Sequence, residues 1–479
     1  MVRQREIIGR VHERSVLDQA LNSPQAELIA VYGRRRVGKT YLIREHYQGS
    51  LCFEASGLHQ EPLARQLANF GMQIRQWFPD FPVATIPTSW LEAFDLLRAI
   101  LEKLPKRKRK QVLFLDEFPW FATPKSGFLA AFENFWNVFA SRRTDLVVVL
   151  CGSAAAWMIR HVIQSRGGLH NRVTRRIQLF PFQLHETQAY LKRLRVHLEP
   201  IQVATLYMAL GGVPHYLNLV EPGRSAAQII EQVCLREGAL LHGEYEQLYG
   251  ALFTNHSLHE AIMLALARSQ SGLVRNELLQ KAKLESGGSV TQALDELIAS
   301  GFVMEQLPFD RKERDRIYRI ADEFSYFYWN WMAKNQSGQT WASLASSRRF
   351  MSWCGYAFES LCLKHIRPIK RKLGIEAVET RAFAWRYQPQ TPEEQGAQID
   401  LVLQRADYTT HLCEMKFSFE PYKITKAYSK ELLQKESVYR ARTNTRHTLF
   451  LTMITASGLA QNTYSPLVPC QVELEDLMK

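Results

Sequence analysis

The N-terminal part of the chain alternates short apolar runs with amphipathic stretches. Five runs read as strands: Leu28–Tyr32, Leu51–Ala55, Val112–Asp116, Leu146–Gly152 and Arg176–Phe180. Helical patterns separate them, so the order predicts a parallel α/β sheet with helices on both faces. From about Gln183 to His256 the pattern is helical, broken at LGGVPHYLNL by Gly211, Gly212 and Pro214. Three amphipathic segments follow, Leu258–Ala267, Leu273–Ala282 and Val290–Ser300, and Gly301 stands where a helix-ending glycine belongs. GFVMEQLPFDRKERDRIYRI then reads as two strands around a charged loop. Three helices and a hairpin in that order predict a winged helix-turn-helix. The aromatic run Phe324–Met332 predicts a buried helix joining domains, and a last α/β segment starts near Arg348.

A chain of 479 residues exceeds one core. Its pattern divides at 1–182, 183–256, 257–345 and 346–479. No window holds the roughly 18 consecutive apolar residues of a membrane helix. The charged start, MVRQREIIGR, lacks the apolar stretch of a secretory signal. The seven cysteines are scattered, with no CxxC pair, which argues against a disulfide framework or zinc site and for a reducing cytoplasm. The net charge of +13 and pI of about 9.4 favour a polyanionic partner, with nucleic acid the commonest.

The sharpest motif is GRRRVGKT, Gly33–Thr40, between a strand and a helical pattern. This G-x-x-x-x-G-K-[ST] spacing makes a phosphate cradle. Gly33 and Gly38 let backbone N–H groups turn toward phosphates, and the following helix N-terminus favours an anion. Lys39 would reach the β and γ phosphates of ATP, and Thr40 would hold Mg²⁺. The expected ATP-binding set is Gly33, Arg36, Val37, Gly38, Lys39, Thr40 and Tyr41. In VLFLDEF, Asp116 ends a buried strand at the edge where open α/β sheets place ligands. Asp116 would orient Mg²⁺ or its water, and Glu117 would polarise the attacking water. Ser153, at the end of LVVVLCGS, could sense the γ-phosphate. Arg172, Arg175 or Arg176 could supply an arginine finger, in cis or from a neighbouring subunit. The run Lys106–Lys110 could touch nucleic acid, but most such runs are solvated loops.

GRRRVGKT, DEF, the strand ending CGS, the arginine-rich stretch before LFPF and GGVPHYL together resemble the AAA-type archaeal and bacterial ATPases of the ATPase_2 group, related to STAND-like signalling ATPases. The resemblance covers about residues 1–340. It implies an ATPase core, a helical lid and a winged helix in that order. SVTQALDELIAS would be the recognition helix, with Arg311, Lys312, Arg314 and Arg316 on the wing. That helix carries Asp295 and Glu296 and no Lys or Arg, so protein interaction stands beside DNA contact as its role.

The last segment orders its acids distinctively. Glu359 sits on the helical pattern Tyr356–Ile366, Asp400 in the strand Ala397–Gln404, and Glu414 with Lys416 in the strand His411–Ser418. Alternation puts Glu414 and Lys416 on one face, and pairing the two strands brings in Asp400. Asp400 and Glu414 could bind Mg²⁺ or Mn²⁺, with Glu359 completing the shell and Lys416 orienting the nucleophile in phosphodiester hydrolysis. The order Glu359, Asp400, Glu414-x-Lys416 over about residues 350–455 is similar to the PD-(D/E)xK nucleases and the DUF234 region, with Ile399 in place of the motif proline. The expectation is an ATPase coupled to a metal-dependent DNA nuclease, a possible homo-oligomer. The rival is a STAND-like nucleotide switch that binds partners without cleaving DNA.

Overall fold

The computed structural model describes residues 6–81, 85–105, 109–164, 167, 169, 171–253, 256–269, 272–306, 316–333, 340–345, 347–389 and 391–479. Lys106 to Lys108, and Arg311, Lys312 and Arg314 of the expected wing, lie outside these residues. The chain forms two compact units, residues 1–180 and 181–479.

The first unit is built on five strands: β1 (Glu27–Tyr32), β2 (Leu51–Ser56), β3 (Gln111–Asp116), β4 (Leu146–Gly152) and β5 (Arg175–Gln178). All pairs are parallel, in the order β2-β3-β4-β1-β5. The expected strands are all present, with ends shifted by one or two residues. The last of them ends at Gln178, although Leu179 N–H still reaches Tyr32 O at 2.7 Å. Because side chains alternate along a strand, each central strand feeds two cores. Leu28, Ala30, Leu113, Leu115, Val148 and Leu150 enter an aromatic-rich cluster with Phe70, Trp90 and Phe132. Ile29, Val31, Val112, Phe114, Val147 and Val149 enter the other, with helices α1 (Val11–Asn22) and α2 (Lys39–Tyr47).

In the second unit, the regular elements between Leu184 and Leu252 are all helices, as the pattern predicts. Next come α3 (Ser257–Ala267), β6 (Leu273–Val274), α4 (Arg275–Ala282), α5 (Gly288–Ala299), β7 (Val303–Gln306) and β8 (Ile317–Ile320). The three short strands form an antiparallel sheet in the order β6-β8-β7. The helix expected from Leu273 therefore starts two residues later. Leu273 and Val274 pair with Tyr318 and Ile317, and this partner outweighs their fit to a helical stripe. Helix α5 closes as Gly301 suggested: Phe302 N–H bonds Leu297 O and Gly301 N–H bonds Ile298 O. The aromatic run after β8 is helical, an α-turn (Glu323–Phe327) widening into a π-turn (Tyr328–Met332), with Phe324, Phe327 and Trp331 buried.

Later elements include α6 (Arg348–Lys364), β9 (Thr380–Tyr387), β10 (Ala397–Arg405), β11 (Thr409–Lys416), α7 (Lys426–Thr443), β12 (Thr448–Thr455) and β13 (Cys470–Glu473). Their sheet runs β13-β12-β11-β10-β9, antiparallel from β9 to β11 and parallel from β11 to β13. One hydrophobic cluster links Leu206 and Tyr216 with Leu266, Trp353, Leu401 and Leu474. Three segments set apart by sequence pattern thus share a core within this unit. Among the described residues no helix is long and apolar enough to cross a membrane.

Candidate functional sites

In a parallel sheet every strand delivers its C-terminal end to one edge. The first unit gathers there the loop after β1, Asp116 and Glu117 at the end of β3, and Ser153 after β4. Gly33 sits at φ +147°, and a Cβ there would lie 2.2 Å from Leu179 O, so glycine lets the loop pass against β5's extension. Gly38 at φ +91° starts α2. Arg36 is left-handed as well, at φ +69°.

Lys39 is buried and donates to Gly33 O at 2.9 Å and Arg34 O at 2.8 Å. Burial pushes its pKa down, against the opposing pull of nearby acidic groups that include Glu117 and Asp116. The ammonium thus lies folded back on the loop whose phosphate it would meet. Thr40 Oγ1 donates to Asp116 Oδ2 at 2.7 Å. A hydroxyl and a carboxylate from two motifs 76 residues apart therefore share one proton position, where both oxygens could face a divalent cation. Glu117 adopts φ +45°, and its Oε2 accepts from Ser153 Oγ at 2.7 Å and Ser153 N at 3.1 Å. Ser153, expected from sequence to sense the γ-phosphate, holds the carboxylate of Glu117.

Two residues beyond the expected set join this corner. Arg10 is buried and donates from Nη2 to Val37 O at 3.2 Å. Arg35 lies over the Trp120 ring at 5.3 Å. The Gly9-Arg10 pair ahead of α1 was the available signal, since only glycine and few other residues take the left-handed turn found at both positions. Tyr41, in the first turn of α2, is half-buried. The arginine candidates fall elsewhere. Thr174 N–H bonds Leu28 O and Arg175 pairs with Glu27 at 3.2 Å, so this stretch lies where β1 begins, at the edge opposite Lys39. Arg172 is exposed, and Arg176 follows on β5 across from Ala30, its charge felt by Tyr32 at the end of β1.

The second cluster lies on the five-stranded sheet of the second unit. The β10–β11 ladder runs from Leu401–Cys413 to Gln404–Thr410, and Asp400 and Glu414 are the next residues on the two strands. Asp400 Oδ2 accepts Met415 N–H at 3.0 Å. Both acids are buried. Glu359, from α6, is pushed up to about 7 by burial and by the charge of Asp400. Burial and Asp400 raise Glu414 as well, against Lys435 and Lys416. Lys416 Nζ stands 3.7 Å from Glu414 Oε2, as alternation predicts.

Sequence reading missed three partners of these acids. Lys435 Nζ lies 2.7 Å from Glu414 Oε2, Tyr428 Oη donates to the same oxygen at 3.0 Å, and Arg319 reaches Glu359 at 3.3 Å. Burial disfavours the charge of Lys435, yet Glu414 and Asp400 hold its pKa above the ordinary value. A signal existed for two of them. Tyr428, Leu432, Lys435 and Tyr439 form one stripe of α7, and a lysine interrupting such a stripe is an anomaly.

The donors are all oxygens, and Glu414 Oε1 is buried with no hydrogen-bond partner among the described residues, which suits a hard divalent cation. Among the described residues, however, no three His, Cys, Asp or Glu side chains form a group able to hold a metal. Glu359 is engaged by Arg319 and does not close a three-carboxylate shell with the other two.

Residues 8–220 match the family model of ATPase_2, an ATPase domain predominantly from Archaea. The uncharacterized protein MJECL04 of Methanocaldococcus jannaschii is 22% identical over 340 residues, covering 69% of this chain and 70% of that protein. Among solved structures, the Walker-type ATPase PABY2304 of Pyrococcus abyssi is similar at 18% identity and a TM-score of 0.46, over 67% of this chain and 96% of that one. The Aeropyrum pernix ORC2 protein, in ADPNP–ADP complexes, is similar at 14% identity and a TM-score of 0.42, over 68% of this chain and 94% of that one.

Proposed function

We propose that this chain binds and hydrolyses ATP in its first unit, and that nucleotide state controls a Mg²⁺- or Mn²⁺-dependent DNA nuclease built on β10, β11 and α6. For the ATPase, the supporting observation is the meeting of Lys39, Thr40, Asp116 and Glu117 at one sheet edge, in a stretch that matches an ATPase-domain family. Backbone N–H groups of residues 33–40 cradle the phosphates, Lys39 leaves its carbonyl partners for the β and γ phosphates, and Glu117 polarises the attacking water. Mg²⁺, held by Thr40 and Asp116, would supply charge neutralisation on those phosphates. Arg172, exposed in this chain, would serve a neighbouring subunit's site in a homo-oligomer.

The observation that carries the nuclease is the buried pair Asp400 and Glu414 at the end of one ladder, with Glu359 and Lys416 beside them. Asp400 and Glu414 would hold the metal, which supplies an activated water and charge on the phosphate, and Lys416 orients the nucleophile. The segment 257–345 would serve as a winged helix that meets DNA or a protein partner. The division at 182, 256 and 345 is part of this reading.

One observation favours the second reading, a STAND-like switch whose second unit binds partners without cutting: Glu359 and Glu414 already carry cationic partners, and no three-ligand group is formed among the described residues. Plasmid and single-stranded DNA incubated with Mg²⁺ or Mn²⁺, with and without ATP, separate the two. The nuclease predicts cleavage that Asp400→Ala abolishes, and ATP control predicts that Lys39→Ala alters it. Intact ATP hydrolysis with no cleavage under any condition would leave the switch.

A further inference from the structure

Arg319 does not belong to the segment that carries the acids. It lies on β8, in the small three-stranded sheet, and is only 3% exposed. From there its Nη1 reaches Glu359 Oε2 on α6 at 3.3 Å, and its guanidinium lies 6.0 Å from the ring of Tyr356, one turn earlier on that helix. The next two turns of α6 hold the residues after Arg319. Ser360 Oγ donates to Ile320 O at 3.4 Å, and Lys364 Nζ donates to Ala321 O at 3.1 Å and to Glu323 Oε1 at 2.6 Å. Tyr356, Ser360 and Lys364 recur every fourth residue, so one face of α6 is fastened to the end of β8.

The contact that touches the acid is loose in form. An arginine grips a carboxylate best with two parallel bonds at about 2.8 Å. Arg319 makes one long bond to Glu359, and its Nε is buried with no hydrogen-bond partner among the described residues. An ion pair made with one end of the fork, on a carboxylate that the charge of Asp400 opposes, is a weaker grip than the two-bond form.

We infer that Arg319 is a positioning residue: it holds Glu359 away from a divalent cation at Asp400 and Glu414, so metal affinity there depends on β8 staying docked on α6. This rests on reading that pair as a metal site. With Arg319 in place, a bound cation meets an extra positive charge and two protein carboxylates. Without it, the charge is gone and Glu359 becomes available as a third oxygen donor. Both changes tighten binding, by roughly tenfold or more, since two unit charges about 10 Å apart at an effective dielectric near 20 already interact by about that factor. Because β8 lies within the segment proposed to meet a partner, the latch ties that segment to the acids.

The test measures Mn²⁺ affinity of the full chain by electron paramagnetic resonance of the free ion. Wild type, Arg319→Met, Arg319→Lys and each of these with Asp400→Ala are compared. The expected result is binding about tenfold tighter in Arg319→Met, near wild type in Arg319→Lys, and absent wherever Asp400 is replaced. Asp400-dependent binding that is equal or weaker in Arg319→Met overturns the latch and leaves the metal site standing. No Asp400-dependent binding in any form overturns both. Arg319→Gln, smaller and polar, provides the same comparison should the Met variant lack a cooperative thermal transition.

Discussion

Protonation of His365 is predicted to cost the second unit a large share of its stability as it is acidified. His365 follows α6 and is 1% exposed. Its Nε2 accepts Leu184 N–H at 2.9 Å, one of the donors that a helix start leaves unpaired, and its Nδ1 lies 2.7 Å from Leu361 O. That arrangement needs a neutral ring with the proton on Nδ1, because a proton on Nε2 would face the Leu184 donor. Burial accordingly pushes the pKa from 6.5 to about 4. As pH falls, the unfolded chain takes up the proton first, so this stabilisation is complete above pH 6.5 and is lost down to about 4. At about 1.4 kcal/mol per pH unit, the full window is worth about 3 kcal/mol, and about 2 kcal/mol is lost by pH 5. Urea unfolding at pH 7 and pH 5 measures it, comparing wild type with His365→Asn. The variant starts from lower stability but should lose less between the two pH values, by about 2 kcal/mol. Parallel losses would show that the imidazole is not held neutral and would refute the reasoning.

Two further outcomes concern the nucleotide corner. Glu117→Gln should lower ATP turnover by about two to four orders of magnitude while ATP affinity changes by less than about threefold, read by phosphate release and by fluorescent-nucleotide titration; undiminished turnover would remove Glu117 from the hydrolytic role. Gly33→Ala would set a Cβ 2.2 Å from Leu179 O at φ +147°, so it should cost at least about 1 kcal/mol and abolish nucleotide binding, and an unchanged melt with intact binding would contradict that geometry.

Much of the geometry of the candidate nucleotide corner is local and was therefore legible. A strand, a glycine-bearing loop and a helix in one contiguous stretch carry their own geometry, and a run such as VLFLD reports its burial through composition alone. The register of β10 against β11 was legible too, since a short connection between them fixes which residues face each other. Leu273 and Val274 were misread as helix because their decision lay with β8, which the chain reaches only after two helices and another strand.

Chain order and short-range periodicity by themselves determined the parallel sheet, the phosphate loop, and the nearness of Asp400 and Glu414. These depend on neighbours within a motif or a hairpin, where chain connectivity leaves few arrangements. Only the tertiary structure decided that Ser153 holds Glu117, that Arg10 supports the phosphate loop, and that Arg319 and Lys435 hold the second cluster's acids. The measured contacts among these join residues of different elements, with separations from 21 to 40 residues. Their meeting follows from how buried faces pack, a property of the whole core that no short stretch of sequence encodes.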